Sequence, residues 1–247
     1  MPDSHSEHFP GPIHRPPIAA NVDAIQPGEH LEYAHHPKLQ HHFDDLDQQA
    51  EASTLGMWVF LVTEIMFFGG LFMAYLVYRW ANPTGFQEAS NHLNVTWGAV
   101  NTAVLICSSL TMVLAVRAAQ VGSRSGQIVN LILTIVLGSV FLIVKYFEYK
   151  DKFVHHLVPG PHFDPSLPRE QQLFFSLYFM LTGVHAAHMV VGIVLMAVIL
   201  IMAWRGKFSP SYYTPVEVSG LYWHFVDIVW IFLFPLLYLL GFHYGQH

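Results

Sequence analysis

Five long apolar runs follow one another along the second part of the chain, separated by short polar breaks. Their approximate limits are 55–79, 96–119, 127–149, 171–204 and 218–243. Each is long enough to cross a hydrocarbon layer as a helix, which takes about 20 mostly apolar residues. The fourth exceeds that length, so tilt or extension beyond the bilayer is expected. Period alone does not separate a buried helix from a buried strand, but runs of this length exclude strands. An open sheet would also leave backbone groups unpaired in lipid.

The breaks fit this count. "ANPTGFQEASNHLN" carries Pro and Gly, and its Asn94 or Thr96 is placed to cap the second run. "VGSRSG" is a tight polar turn. "PGPHFDPSLPRE" holds prolines that no helix can run through, and "RGKFSPSYYTP" ends the fourth run. The predicted fold class is all-α, an integral membrane bundle of five helices over residues 54–247. Small residues at Gly69–Gly70, Gly138, Ser139, Gly183, Ala186, Ala187 and Gly192 offer places for helices to approach closely.

Residues 1–53 contrast with all of this. They are polar, rich in Pro, His and acids, and poor in aliphatics. Such a segment buries little apolar surface and reads as an extended tail. It has no apolar stretch of the kind a cleavable signal needs, so none is expected at the start. The pairs His35–His36 and His41–His42 allow metal binding, but their spacing fits no closed structural site.

Composition supports the membrane reading. Hydrophobic residues make up 53% and charged residues 11% of the chain, where soluble domains carry roughly 25% charged residues. The net charge is −6 and there is no basic stripe, so no nucleic-acid partner is expected. A single cysteine, Cys107, excludes an internal disulfide and any multi-cysteine metal site. With five crossings, Arg15, Lys38, Arg117, Arg124, Arg205 and Lys207 share the tail's side, against Arg79, Lys150, Lys152 and Arg169. The positive-inside rule then places the N-terminus in the cytoplasm and the C-terminus outside.

Ionisable groups within the runs carry the candidate chemistry, because each costs several kcal/mol at membrane depth unless paired or neutralised. Glu64 lies near the middle of the first run with no basic neighbour in its own turn, so either its partner comes from another helix or it is protonated and faces lipid. For a partner, His185 is the first candidate. Lys145 and Glu148, three apart, share a face and can pair near the end of the third run. His185 and His188 lie three apart in the fourth run, and His224 and Asp227 three apart in the fifth. Residue chemistry leaves two readings: a His3Asp metal or haem site, or neutral histidines hydrogen-bonded across helices with His224 paired to Asp227.

Four segments carry a resemblance. "YWHFVDIVWIFLFPLLYLLG" resembles the last helix of subunit III of the haem-copper terminal oxidases, the cytochrome c oxidase and quinol oxidase group. "FFSLYFMLTGVHAAHMVVG", "TEIMFFGGLFMAY" and "KYFEY" are similar to further segments of that family, in family order. The number of crossings matches short bacterial forms, since long forms have seven. The arm of a lipid-holding cleft that the two extra helices build is therefore not carried over.

The resemblance implies a subunit without redox centres or metal of its own. Haem and copper would sit in the catalytic partner, subunit I. The subunit would bind structural phospholipid, protect turnover, and aid oxygen or proton access. Glu64 matches the family's carbodiimide-reactive acid, and Glu148, His185, His188, His224 and Asp227 match buried polar positions that are not metal ligands there. The bacterial inner membrane is the expected location, with the tail contacting neighbouring subunits. Rival readings are an accessory subunit of a nitric oxide reductase, an oxidase assembly factor, an independent proton transporter, or a His-ligated metal or haem enzyme.

Overall fold

The apolar runs fold as long helices because a chain crossing lipid must satisfy its backbone groups within each segment. The structure, a computed structural model, describes residues 43, 46–160, 163 and 166–239. These form α1 (Leu46–Ala81), α2 (Pro83–Ser90), α3 (Val95–Val121), α4 (Arg124–Val154), α5 (Arg169–Trp204) and α6 (Thr214–Tyr238). All but α2 are long and apolar enough to span a membrane. Both α1 and α5 have 36 residues, about 54 Å at 1.5 Å per residue, so each outruns the hydrocarbon core.

The expected boundaries shift in three places. Helix α1 starts at Leu46, so the last residues of the polar tail are helical. The pairs His35–His36 and His41–His42 lie outside the described residues. Within the first predicted loop, residues 83–90 form α2, with Pro83 at its first position, where a missing N–H costs nothing. Helix α2 buries Phe86 and Ala89. The Phe86 ring meets those of Tyr75 and Phe174, with centroids 5.5 Å away in each case. Gly85 lets α2 approach α5, since a Cβ there would fall 2.4 Å from Glu170 Cβ.

The predicted stops hold. Asn94 caps α3 by accepting from the N–H groups of Thr96 (3.0 Å) and Trp97 (3.3 Å). Gly122 ends it with φ of 78°, a left-handed conformation that favours glycine.

Helices α3 and α4 form an antiparallel hairpin. Helix α6 packs on α3 and α5, and α5 packs on α4. The centre of this arrangement is Trp223 of α6, fully buried. Its Nε1–H donates to Ser108 Oγ of α3 at 2.9 Å. Gly138 and Gly192 make room for its ring: an added Cβ would lie 2.6 Å and 3.1 Å from indole carbons. These two glycines serve close approach as expected. Gly69 and Gly70 do not, since nothing among the described residues lies within 4 Å of a Cβ at either.

Helix α1 is held differently. Its outer face exposes Trp58, Ile65, Met66 and Met73, among others. It touches the bundle through a line of inward side chains. Phe68 meets Phe225 edge-on at 6.0 Å, and Tyr75 O–H donates to the Leu236 carbonyl at 2.9 Å.

Candidate functional site

Three polar clusters lie inside the spans. The first is built on Lys145 and Glu148 of α4. One helical turn apart, they pair at 2.9 Å, as the i, i+3 spacing predicts. The pair lies inside the bundle and not at its surface. The Lys145 side chain is 3% exposed and that of Glu148 8%, with Lys145 about 14 Å from the helix end by helical rise. Its ammonium also donates to the hydroxyls of Tyr178 (3.1 Å, α5) and Tyr238 (2.8 Å, α6). Those hydroxyls donate in turn to Glu148 Oε1, at 3.0 Å and 2.5 Å. Three donors on the cation meet three acceptors, and the Trp230 ring lies 5.1 Å from the nitrogen. Three helices are thereby tied around one ion pair.

The second cluster joins α1 to α5. Glu64 Oε2 lies 3.1 Å from His188 Nε2. The partner is on another helix, as expected, but it is His188 and not His185. The His188 ring is fixed from its other side, where Nδ1 lies 2.9 Å from the Val184 carbonyl one turn back. A bond from Nδ1–H to that carbonyl leaves Nε2 as the acceptor, so a neutral pair requires a protonated Glu64. The edge of Phe68 packs on the imidazole at 5.1 Å. Both side chains remain partly exposed, so the pair borders the outer surface between α1 and α5.

His185 is one turn away yet faces the interior. It is fully buried between Phe141 and Trp230, with centroids at 5.5 Å and 5.3 Å. Neither ring nitrogen has a hydrogen-bond partner among the described residues.

The third cluster corrects the expected His224–Asp227 pair. His224 Nδ1 bonds Ser109 Oγ of α3 at 2.7 Å. Asp227 is buried, and neither carboxyl oxygen has a partner among the described residues. The reason is geometric. A step of three along a helix turns side chains about 60° apart, and the Ser109 hydroxyl takes the His224 ring nitrogen. Helix α6 starts at Thr214, so Asp227 and Ser109 fall close to the midpoints of their helices. Both residues and His224 line a groove of about 440 Å³ between α3 and α6, otherwise walled by aliphatic side chains.

The four residues of the possible His3Asp site are thus divided: His188 with Glu64, His224 with Ser109, Asp227 beside that second pair, and His185 between Phe141 and Trp230. Among the described residues, no group of three His, Cys, Asp or Glu is placed to share a metal ion. Sequence reasoning missed Ser109, Tyr178 and Tyr238. A lone serine in an apolar run gives no signal, and both tyrosines read as part of the apolar pattern.

Comparison with known proteins identifies the family. Residues 48–242 match the family described as cytochrome c oxidase subunit III. The chain is similar to the cytochrome c oxidase subunit 3 of Corynebacterium diphtheriae, 38% identical over 190 residues, covering 76% of this chain and 87% of that one. It is similar to the quinol oxidase subunit 3 of Bacillus subtilis, 32% identical over 212 residues, covering 85% and 98%. The cytochrome bo(3) ubiquinol oxidase subunit 3 of Pseudomonas aeruginosa is 31% identical over 213 residues, covering 86% and 96%. With the match running through all five spans and every cluster above, the chain belongs to the cytochrome c oxidase subunit III family.

Proposed function

We propose that this chain is the non-redox subunit III of an aerobic respiratory haem-copper oxidase, the enzyme class that reduces oxygen to water. The family match over residues 48–242 carries the reading. The clusters support it. Lys145 with Glu148, Glu64 with His188 and Ser109 with His224 each hold helices to one another. Haem and copper belong to the catalytic subunit, which is the main contact. The wide apolar outer face suits that subunit and phospholipid together. The excess of Lys and Arg on the tail's side supports a bacterial inner-membrane orientation with the N-terminus in the cytoplasm, where the tail meets neighbouring subunits.

Within this reading Glu64 and His188 act on turnover. They tie the most loosely packed span, α1, to α5 at the surface where lipid reaches the bundle. Losing the tie lets α1 shift and alters that surface. The test is sustained catalysis by the purified complex. With Glu64→Ala the initial rate of oxygen reduction stays near that of the parent, and activity decays faster over successive turnovers. Equal decay in mutant and parent contradicts the role.

A further inference from the structure

The tail-side ends of α4 and α5 carry positive charge that no nearby acid balances. Helix α5 closes on Gly206, which has φ of 68°. The Gly206 N–H donates to the Ala203 carbonyl at 2.9 Å and the Lys207 N–H to the Met202 carbonyl at 3.1 Å. The Trp204 carbonyl is satisfied from the next helix, by Arg124 Nη2 of the first turn of α4. That bond uses one of the five donors of the guanidinium. It also holds the group against the turn, since a Cβ on Gly206 would lie 3.8 Å from the guanidinium carbon.

Arg205 stands between the two positions that Arg124 touches. Both arginines are exposed. The ion pairs among the described residues involve neither of them. The adjoining segments "VGSRSG" and "RGKFSPSYY" contain no Asp or Glu, and the first turn of α4 has no acid.

Depth decides which anion meets them. Glu64 and His188 lie near the midpoints of α1 and α5, which places that pair near the bilayer centre. Trp204 is 16 residues beyond His188, about 24 Å along the helix. With ordinary tilt this is the headgroup layer, whose outer edge lies about 20–22 Å from the centre. Trp204 is 71% exposed, as suits an indole at that level. Toward the bilayer centre, Ile201 and Val198 of α5 are exposed, and so is Ile132 of α4. Two cations therefore stand at the head of an apolar wall shared by two packed helices. A soluble anion uses the cations alone. An anionic phospholipid uses the cations and the wall.

We propose that Arg124 and Arg205 form a headgroup site for an anionic phospholipid of the tail-side leaflet. Its phosphate sits on the two guanidinium groups and its acyl chains run along Ile201, Val198 and Ile132. The inference rests on the subunit III reading and deepens its phospholipid part, by naming the lipid class, the leaflet and the helix pair.

The test uses the purified oxidase complex. Phosphatidylglycerol carrying a photoreactive acyl chain is titrated in, and adducts on the peptide spanning residues 198–204 are quantified by mass spectrometry after illumination. Phosphatidylcholine with the same chain is the control lipid. Arg205→Gln, which leaves the Arg124 bond to Trp204 in place, is expected to raise the phosphatidylglycerol concentration for half-maximal labelling roughly fivefold. Arg124→Gln is expected to raise it at least as much. Arg117→Gln, which removes an exposed cation of α3 on the same side, is expected to change it less than twofold. Excess inorganic phosphate is expected to leave the labelling in place.

Equal shifts for Arg205→Gln and Arg117→Gln mean that diffuse charge alone acts, and they overturn the site. Labelling by phosphatidylcholine at equal concentration overturns it too, as does displacement by inorganic phosphate. Each of these leaves the subunit reading intact. Absence of this chain from the purified oxidase overturns both.

Discussion

Near the α2 end of the bundle, every donor of the Lys145 ammonium meets a partner within the chain. Halfway along α3 and α6, the Asp227 carboxyl meets none among the described residues. Both groups are buried and both belong to membrane-spanning helices. The difference separates two uses of polar residues in lipid. A satisfied network ties three helices of the chain together, and a buried group without a partner ties none. The Glu64–His188 contact lies between these cases: paired within the chain, yet at its surface.

The largest effect that would break this comparison is expected at the satisfied cluster. Lys145→Met leaves the Glu148 carboxylate in the bundle interior without its counter-charge. Removing one partner of a buried ion pair costs roughly 3–5 kcal/mol. A clear fall in the midpoint of thermal or denaturant unfolding of the purified complex is the expected outcome. The double variant Lys145→Met with Glu148→Gln should recover much of the loss, because the uncompensated charge is gone. If the single variant is as stable as the parent, the cluster does not hold the fold.

Packing around Trp223 comes next. Gly138→Leu forces a side chain onto the indole and is expected to destabilise by about 1–3 kcal/mol, read as a lower unfolding midpoint. The same change at Gly70, where nothing lies near, should leave the midpoint unmoved. Equal effects at the two sites would remove Trp223 as the packing centre.

His188→Leu leaves Glu64 without its partner and is expected to cost about 1–3 kcal/mol. The loss is smaller if the carboxyl turns to the lipid side. The sharper readout is faster decay of oxidase activity during turnover.

The smallest effect, and the one of opposite sign, is expected at His185. Its ring nitrogens have no partners among the described residues, so His185→Phe removes an unsatisfied polar group and keeps an aromatic ring against Phe141 and Trp230. Stability should stay the same or rise by up to about 1 kcal/mol. A loss as large as that of Lys145→Met would show that His185 holds a contact, such as an internal water, comparable to the ion pair.

Much of the architecture was legible in the sequence because lipid imposes simple rules. Length of apolar run gave the five spans, Asn94 gave a start, and Gly122 gave a stop. Helix α2 was not legible, since eight residues that begin at Pro83, just after Asn82, and contain Gly85 read as a loop. Its burial depends on the matching surface of α5. At the candidate site, the i, i+3 spacing correctly paired Lys145 with Glu148. The same spacing misled at His224 and Asp227, because a serine on α3 faces the histidine. The choice between His185 and His188 as partner of Glu64 turns on about 60° of rotation of α5 against α1, which neither helix encodes alone. The buried roles of Tyr178 and Tyr238 follow from where three helices meet, which no single run reveals.

The central claim is that this chain works as a subunit of an oxidase whose redox chemistry lies in a neighbour. The most direct measurement is to isolate the chain from its native membrane through an affinity tag, in mild detergent. Composition is then read by mass spectrometry and the visible spectrum recorded. The account predicts a haem-copper catalytic subunit in equal amount, haem absorption from that subunit, and oxygen reduction by the preparation. Recovery of this chain from active membranes without any haem-bearing subunit would contradict it.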